Sequence, residues 1–271
     1  MSPPPHMSIR DVLVLPGNRL RWIRALVLPV MPGAFRFWLG FRMIAAFTLC
    51  VCICVDAGVW DSTPLAHRQY DGKKLPWLIY GTNLALLAAF FYFALSVWLA
   101  FTTPYTFYNE QEHDGMHMPK LAYIVWGLHT LAMPAMVYTL IIYVTFLRDY
   151  TTYRQSQFAA YIILCIFMSL NFLLSNVPLL IQNVPWTTIA VTCYLCLIGI
   201  IQAVANGYVY PAMTTVGDGL FIIAICTVVH VALVAVQMGR NKVCCSTCAP
   251  AILVWFESSP SGTTIGLGGG V

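Results

Sequence analysis

Six stretches of this sequence stay apolar long enough to cross a lipid bilayer. They lie at 37–59, 76–101, 121–147, 158–182, 186–205 and 220–238. A spanning helix needs about 20 such residues. Composition points the same way. The 271 residues are 59% hydrophobic and only 9% charged, with a mean hydropathy of +0.76, whereas a soluble domain carries about 25% charged residues. Too few polar groups exist to cover a water-facing globule, so the sequence predicts an all-α, polytopic membrane protein of six transmembrane helices.

The basic residues orient it. Nine of the fourteen Lys and Arg fall on one side: Arg10, Arg19, Arg21, Arg24, Arg36, Arg42, Lys120, Arg240 and Lys242. Five fall on the other: Arg68, Lys73, Lys74, Arg148 and Arg154. The richer side is expected to be cytosolic, which puts both termini in the cytosol. Three regions follow: a cytosolic N-terminal segment (1–36), the transmembrane domain (37–238) and a cytosolic tail (239–271). Residues 11–33 mix apolar side chains with Arg and Pro, as an interfacial helix on the cytosolic leaflet would, and no secretory signal is expected in the N-terminal stretch. The tail from Ser258 is rich in Gly and Ser, a composition expected to be disordered. Arg42 interrupts the first span and is expected to snorkel to the nearer surface. Trp38, Trp60, Trp77, Trp98 and Trp186 sit at span ends, where an interfacial aromatic belt belongs. The fourth and fifth spans are separated only by "NVP", so a tight hairpin is expected there.

The charge pattern excludes nucleic-acid binding, because the basic residues form no patch interleaved with aromatics. No Asp, Glu, Lys or Arg lies near the middle of a span, which argues against a proton or ion pump, and the lack of an internal repeat argues against an inverted-repeat transporter. Seven of the ten cysteines lie inside apolar runs and behave there as small hydrophobes. Cys244, Cys245 and Cys248 ("KVCCSTC") follow the last span, and Cys244 and Cys245 are candidates for juxtamembrane S-acylation. His113 and His117 have an HxxxH spacing in "YNEQEHDGMHMPK", but Gly115 and Pro119 disfavour the helix a metal site would need. That stretch reads as a solvated acidic loop, and no metal or cofactor is expected.

Polar residues inside the spans need a partner or a role. Asn171, Ser175 and Gln182 recur at helical spacing on the fourth span, with Pro178 on the same face. Thr188, Thr192, Cys196, Gly199, Gln202 and Asn206 form a small and polar stripe on the fifth. Both stripes are expected to face the bundle interior, where interhelical hydrogen bonds are worth about 1 kcal/mol each. His129 on the third span and His230 on the sixth are the proton-transfer side chains deepest in the lipid.

Several short motifs resemble one family. "GYVYPAMTTVGDG" is similar to the Gly-x-Val-Tyr-Pro segment between the last two helices of the androgen-induced-gene-like family, six-helix membrane proteins, some of which hydrolyse fatty acid esters of hydroxy fatty acids. "LAMP" (Leu131–Pro134) resembles the Leu-Ala-aromatic-Pro of that family's third helix. "YGTN" (Tyr80–Asn83) falls where the family places its nucleophilic threonine. "WLIYGTN" also resembles the Trp-x-Ile-Tyr-x-Thr-Asn of rolling-stone membrane proteins. The likeness spans roughly residues 40–240.

The resemblance implies Thr82 as nucleophile. It implies substrate contacts from Asn83, Asn171, Ser175 and Tyr210, an acyl chain and membrane lipids as partners, and a home in the endomembrane system (the endoplasmic reticulum) or the plasma membrane. The fourth span keeps Asn171 but contains no His. The Gly-Leu-His-Thr wording of the family's histidine motif occurs instead in the third span, which makes His129 the candidate base. Thr82 is expected about 7 Å below the non-cytosolic surface. His129 is expected about 12 Å in from the other side, roughly 10 Å from Thr82 in depth. Rolling-stone membership would imply instead a structural, adhesion or fusion role without catalysis.

Overall fold

The computed structural model describes residues 26, 35–62, 69–70, 73–74, 78, 80–102, 120–142, 155–175, 177, 179–205 and 216–257. Among them run six long helices: α1 (Phe35–Ser62), α2 (Gly81–Thr102), α3 (Lys120–Ile142), α4 (Gln155–Leu174), α5 (Val184–Ala205) and α6 (Val216–Glu257). Apart from a two-residue antiparallel ladder between β1 (Gln69–Tyr70) and β2 (Lys73–Lys74), in the loop after α1, the regular structure is helical. Five of the helices are long and apolar enough to cross a membrane, through Phe35–Gly58, Gly81–Thr102, Lys120–Ile141, Val184–Val204 and Val216–Arg240. The apolar part of α4, Ala159–Leu174, is shorter. At 1.5 Å per residue it covers about 24 Å of a hydrocarbon layer about 30 Å thick.

The polarity of the bundle is inverted relative to a soluble protein. Phe37, Phe47, Trp98, Phe101, Ile200 and Val204 point outward, while Thr82, Asn83, Ser96, His129, Asn171 and Gln237 are buried. Apolar side chains gain nothing by leaving lipid, whereas each polar group placed in hydrocarbon without a partner costs free energy. The helices therefore meet through hydrogen bonds and small residues. The most extensive interface joins α2 to α3, where Ala85, Ala89, Ala132 and Ala135 are buried and let the two backbones approach.

Four expectations are corrected. The fourth helix ends at Leu174, not at residue 182. Ser175 N–H still donates to the Asn171 carbonyl (2.8 Å), but Val177, Leu179 and Leu180 have left the helix, and a short 3-10 turn (Ile181–Asn183) leads directly into α5. Pro178 supplies the cause. A proline has no N–H to donate, and it drives the residue before it out of helical geometry.

The backbone groups this break frees are taken up by α6. Gln237 Nε2 donates to the Val177 carbonyl (2.7 Å) and Gln237 Oε1 accepts from Leu179 N–H (2.7 Å). One side-chain amide thus plays the part of a neighbouring strand. Arg240 donates to the terminal carbonyls of α4 at Phe172 and Leu173, where a cation also meets the negative end of the helix dipole.

The second correction concerns the α5 stripe. It is only partly interior: Thr188, Thr192 and Gln202 are half-buried, while Cys196 and Gly199 are exposed. The fully covered threonine of α5 is Thr187. Third, Trp38 does not join an interfacial belt but is buried, stacked on Phe41 (5.4 Å); Trp98 and Trp186 do lie exposed. Fourth, Arg42 does not snorkel. It is 1% exposed and turned into the bundle.

The interfacial segment 11–33, apart from Leu26, and the tail from Ser258 lie outside the described residues. Cys244 and Cys245 fall within α6, which continues beyond the expected span to Glu257.

Candidate functional site

Helix α2 begins at Gly81, with Asn83 and Leu84 N–H both donating to the Tyr80 carbonyl (3.0 and 3.1 Å). This start places Thr82 on the wall of a partly open cavity of about 240 Å³ between α2, α3, α5 and α6. Its polar lining comes from Thr82, Tyr138, Thr139, Thr187, Tyr194 and Cys226, and the rest is mainly leucine, alanine and valine. Such a lining suits an alkyl chain carrying one polar function: dispersion contacts along the chain and a few hydroxyls to fix the rest.

Gly81 keeps this cavity in shape. A Cβ at that position would lie 3.0–3.1 Å from the ring and hydroxyl of Tyr194. Gly81→Ala is therefore expected to force Tyr194 aside, at a cost of about 1–3 kcal/mol, read as a lower melting midpoint of the detergent-solubilised protein. An unchanged midpoint would mean that Tyr194 moves away freely.

The residues expected to work together are placed apart. α2 and α3 run antiparallel, so that Thr82 shares the cavity with Thr139 while the Tyr92 and His129 rings meet ten residues along (centroids 5.1 Å). Ten helical residues span about 15 Å. A nucleophile and its base must come within about 3 Å, and His129 is not among the cavity-lining residues. Asn171 sits at the His129 level, its Oδ1 accepting from Tyr92 OH (3.1 Å). Ser175 is buried beyond the end of α4. Asn83 is buried beside Thr82, and its Oδ1 accepts from Tyr161 OH (3.3 Å). Tyr210 lies outside the described residues, as do His113 and His117. Among the described residues no three His, Cys, Asp or Glu side chains gather as a metal site would require.

What the helices do bring together is Thr187 and His230. Thr187 Oγ1 lies 2.9 Å from His230 Nδ1, the two residues being 6% and 0% exposed, and Thr187 also lines the cavity. Among the described residues this is the hydrogen bond that joins a threonine to a histidine. The chain matches no known protein family, no curated protein and no solved structure.

With the ring proton on Nε2, Nδ1 is bare and accepts from the threonine hydroxyl, the alignment in which a histidine can withdraw that proton. The same hydroxyl lies within reach of the Asn183 and Val184 carbonyls (3.2 and 3.0 Å), so its single hydrogen has three acceptors. Neighbouring bonds hold this junction together. Asn183 Nδ2 donates to Thr130 Oγ1 (3.4 Å) and Thr188 Oγ1 lies 3.2 Å from Thr227 Oγ1. Thr139, also on the cavity wall, carries a buried Oγ1 with no hydrogen-bond partner among the described residues.

The sequence pointed to His230, but its polar stripe on α5 ran through Thr188 and Thr192 and passed over Thr187, the threonine the fold buries. The pair is 43 residues apart, and no spacing in the sequence joins its members.

Proposed function

We propose that this chain is a six-span membrane protein with both termini in the cytosol, which takes the acyl chain of a lipid ester into its cavity and cleaves the ester with Thr187. The observation that carries the reading is the 2.9 Å contact between Thr187 Oγ1 and His230 Nδ1 at the cavity wall. Lipid as substrate rests on the cavity's apolar lining and on the motif resemblance to androgen-induced-gene-like hydrolases, which suggests esters of hydroxy fatty acids. The topology rests on the excess of Lys and Arg at the expected cytosolic side and on counting the shorter apolar helix Ala159–Leu174 as the sixth crossing. The same orientation places Cys244 and Cys245 where S-acylation occurs, in an endomembrane or plasma membrane.

In this reaction Thr187 Oγ attacks the ester carbonyl carbon as His230 Nδ1 takes its proton. The unpartnered Thr139 hydroxyl is the donor nearest in role to an oxyanion stabiliser. His230 returns the proton to the departing alkoxide, giving a free alcohol and an acyl-threonine. Water, activated by the same nitrogen, then releases the acid. Thr82 contributes a polar contact to the bound lipid.

A second reading is non-catalytic, as in rolling-stone proteins. It is favoured by the two backbone carbonyls that compete for the Thr187 hydrogen. In that case Thr187 serves only to hold α5 to α6.

A fluorophosphonate probe separates the two on the purified, detergent-solubilised protein. The hydrolase reading expects labelling of wild type and of Thr82→Ala and His129→Phe, and none of Thr187→Ala. Labelling that survives in Thr187→Ala removes Thr187 as nucleophile. Labelling lost only in Thr82→Ala restores the assignment made from the motif.

A further inference from the structure

Arg42 lies seven residues into α1 and meets α2 at Tyr92, ten residues along that helix from Thr82 and outside the cavity lining. A guanidinium stays protonated in proteins, and burying its charge without a counter-charge is strongly unfavourable. Arg42 Nη1 donates to the Leu26 carbonyl (2.6 Å) and Nη2 to Tyr92 OH (3.4 Å). The guanidinium lies 4.5 Å from the Trp38 ring centroid. None of these partners is an anion. Asp56, the buried carboxylate of the same helix, is fourteen residues away, or about 21 Å.

The surroundings share one deficiency. Among the described residues, Trp38 Nε1, Arg42 Nε and Asn171 Nδ2 are buried N–H groups without a hydrogen-bond partner, and both ring nitrogens of His129, one donor and one acceptor in the neutral ring, are unpartnered too. All four side chains are at most 1% exposed. They belong to one cluster. Arg42 touches Trp38 and Tyr92, Tyr92 hydrogen-bonds Asn171, and Tyr92 stacks against His129. Ser175, whose N–H donates to the Asn171 carbonyl, adds another unpartnered hydroxyl. Among the described residues the cluster thus gathers four unpartnered N–H donors, on Trp38, Arg42, Asn171 and His129, beside a cation with no anionic partner among them, and a buried donor left unpaired forfeits its hydration without return.

We infer that Arg42, Trp38, His129 and Asn171 form a binding site for an oxyanion, a carboxylate or phosphate group held inside the bundle. A guanidinium recognises such groups through paired charge-assisted hydrogen bonds, and the indole, amide and imidazole N–H groups supply the remaining donors. The inference is independent of Thr187 and of hydrolysis.

The chemistry is shared by a lipid headgroup, a fatty acid and free phosphate, and one experiment sorts them. The full chain is delipidated in a neutral detergent and melted with sodium phosphate, with oleate, with phosphatidate, and with phosphatidylcholine as the zwitterionic control. At least one anion is expected to raise the melting midpoint of the wild type well beyond the control. Inorganic phosphate acting alone identifies a free ion; phosphatidate or oleate without inorganic phosphate identifies a lipid.

Two variants test the site itself. Arg42→Met removes the charge and is expected to lose the anion response. Asn171→Asp places a carboxylate within the cluster; it is expected to melt higher than wild type without any anion and to respond to none. The inference is overturned if no anion shifts the wild type, if Asn171→Asp responds as wild type does, or if that variant melts lower than the delipidated wild type.

Discussion

Replacing Gln237 by Leu is expected to unfold the C-terminal half of the bundle. The leucine fills similar space but leaves the Val177 carbonyl and the Leu179 N–H with no partner, in an interior that offers no water to replace it. Each orphaned backbone group costs about 1–3 kcal/mol, and more where the surroundings are hydrocarbon. The two together come to about 2–6 kcal/mol, reaching the lower end of the stability of an ordinary domain, about 5–15 kcal/mol. Gln237→Glu separates the two bonds. It retains an acceptor for Leu179 and loses the donor to Val177, so it is expected to fall between wild type and Gln237→Leu.

Cys226 provides the readout, being buried on the same helix at 3% exposure. Its alkylation, followed residue by residue by mass spectrometry, is expected to be slow in wild type and fast in Gln237→Leu in the same detergent. Equal rates would show that other contacts hold the 177–180 segment in place.

The second large effect concerns turnover. On the hydrolase reading, Thr187→Val removes the nucleophile and leaves ester cleavage at the rate of the empty micelle. His230→Gln removes the base while preserving a polar ring-sized side chain, and is expected to lower kcat by about 10²–10⁴-fold, the usual range for a lost general base. Thr187→Ser keeps the hydroxyl and is expected to stay active. His129→Phe, some 15 Å from Thr82 and away from the cavity, is expected to leave kcat unchanged. Should Thr187→Val and wild type cleave a fluorogenic fatty acid ester equally fast, the pair has only a structural role.

Hydropathy made the helices legible because lipid exerts one uniform demand over about 20 residues. That same uniformity concealed the end of α4. The run 158–182 is apolar throughout, and the local signal, Pro178, was read as part of a helical face. Whether a proline kinks a helix or ends it depends on who receives the freed carbonyl and N–H groups, and here the receivers are Gln237 and Arg240, some 60 residues later.

Arg42 misled for a related reason. A lone arginine near a span end ordinarily reaches for water, and only the packed bundle shows Leu26, Trp38 and Tyr92 closing over it. Thr82 lines an apolar-walled cavity, but a histidine to face it could not be chosen from sequence, because sequence gives depth along one helix and not the neighbour across the gap.

The Gln237 clamp also carries a timetable. A ribosome delivers Val177 and Leu179 well before it delivers Gln237, so the middle of the protein must enter the membrane with two polar groups still waiting for their mate. Until the final crossing arrives, that hairpin is an unfinished intermediate, and its natural resting place is beside the insertion machinery or a chaperone instead of open lipid. A nascent chain halted while Gln237 is still inside the ribosome should therefore remain tethered there, whereas one long enough to bring Gln237 into the membrane should let go.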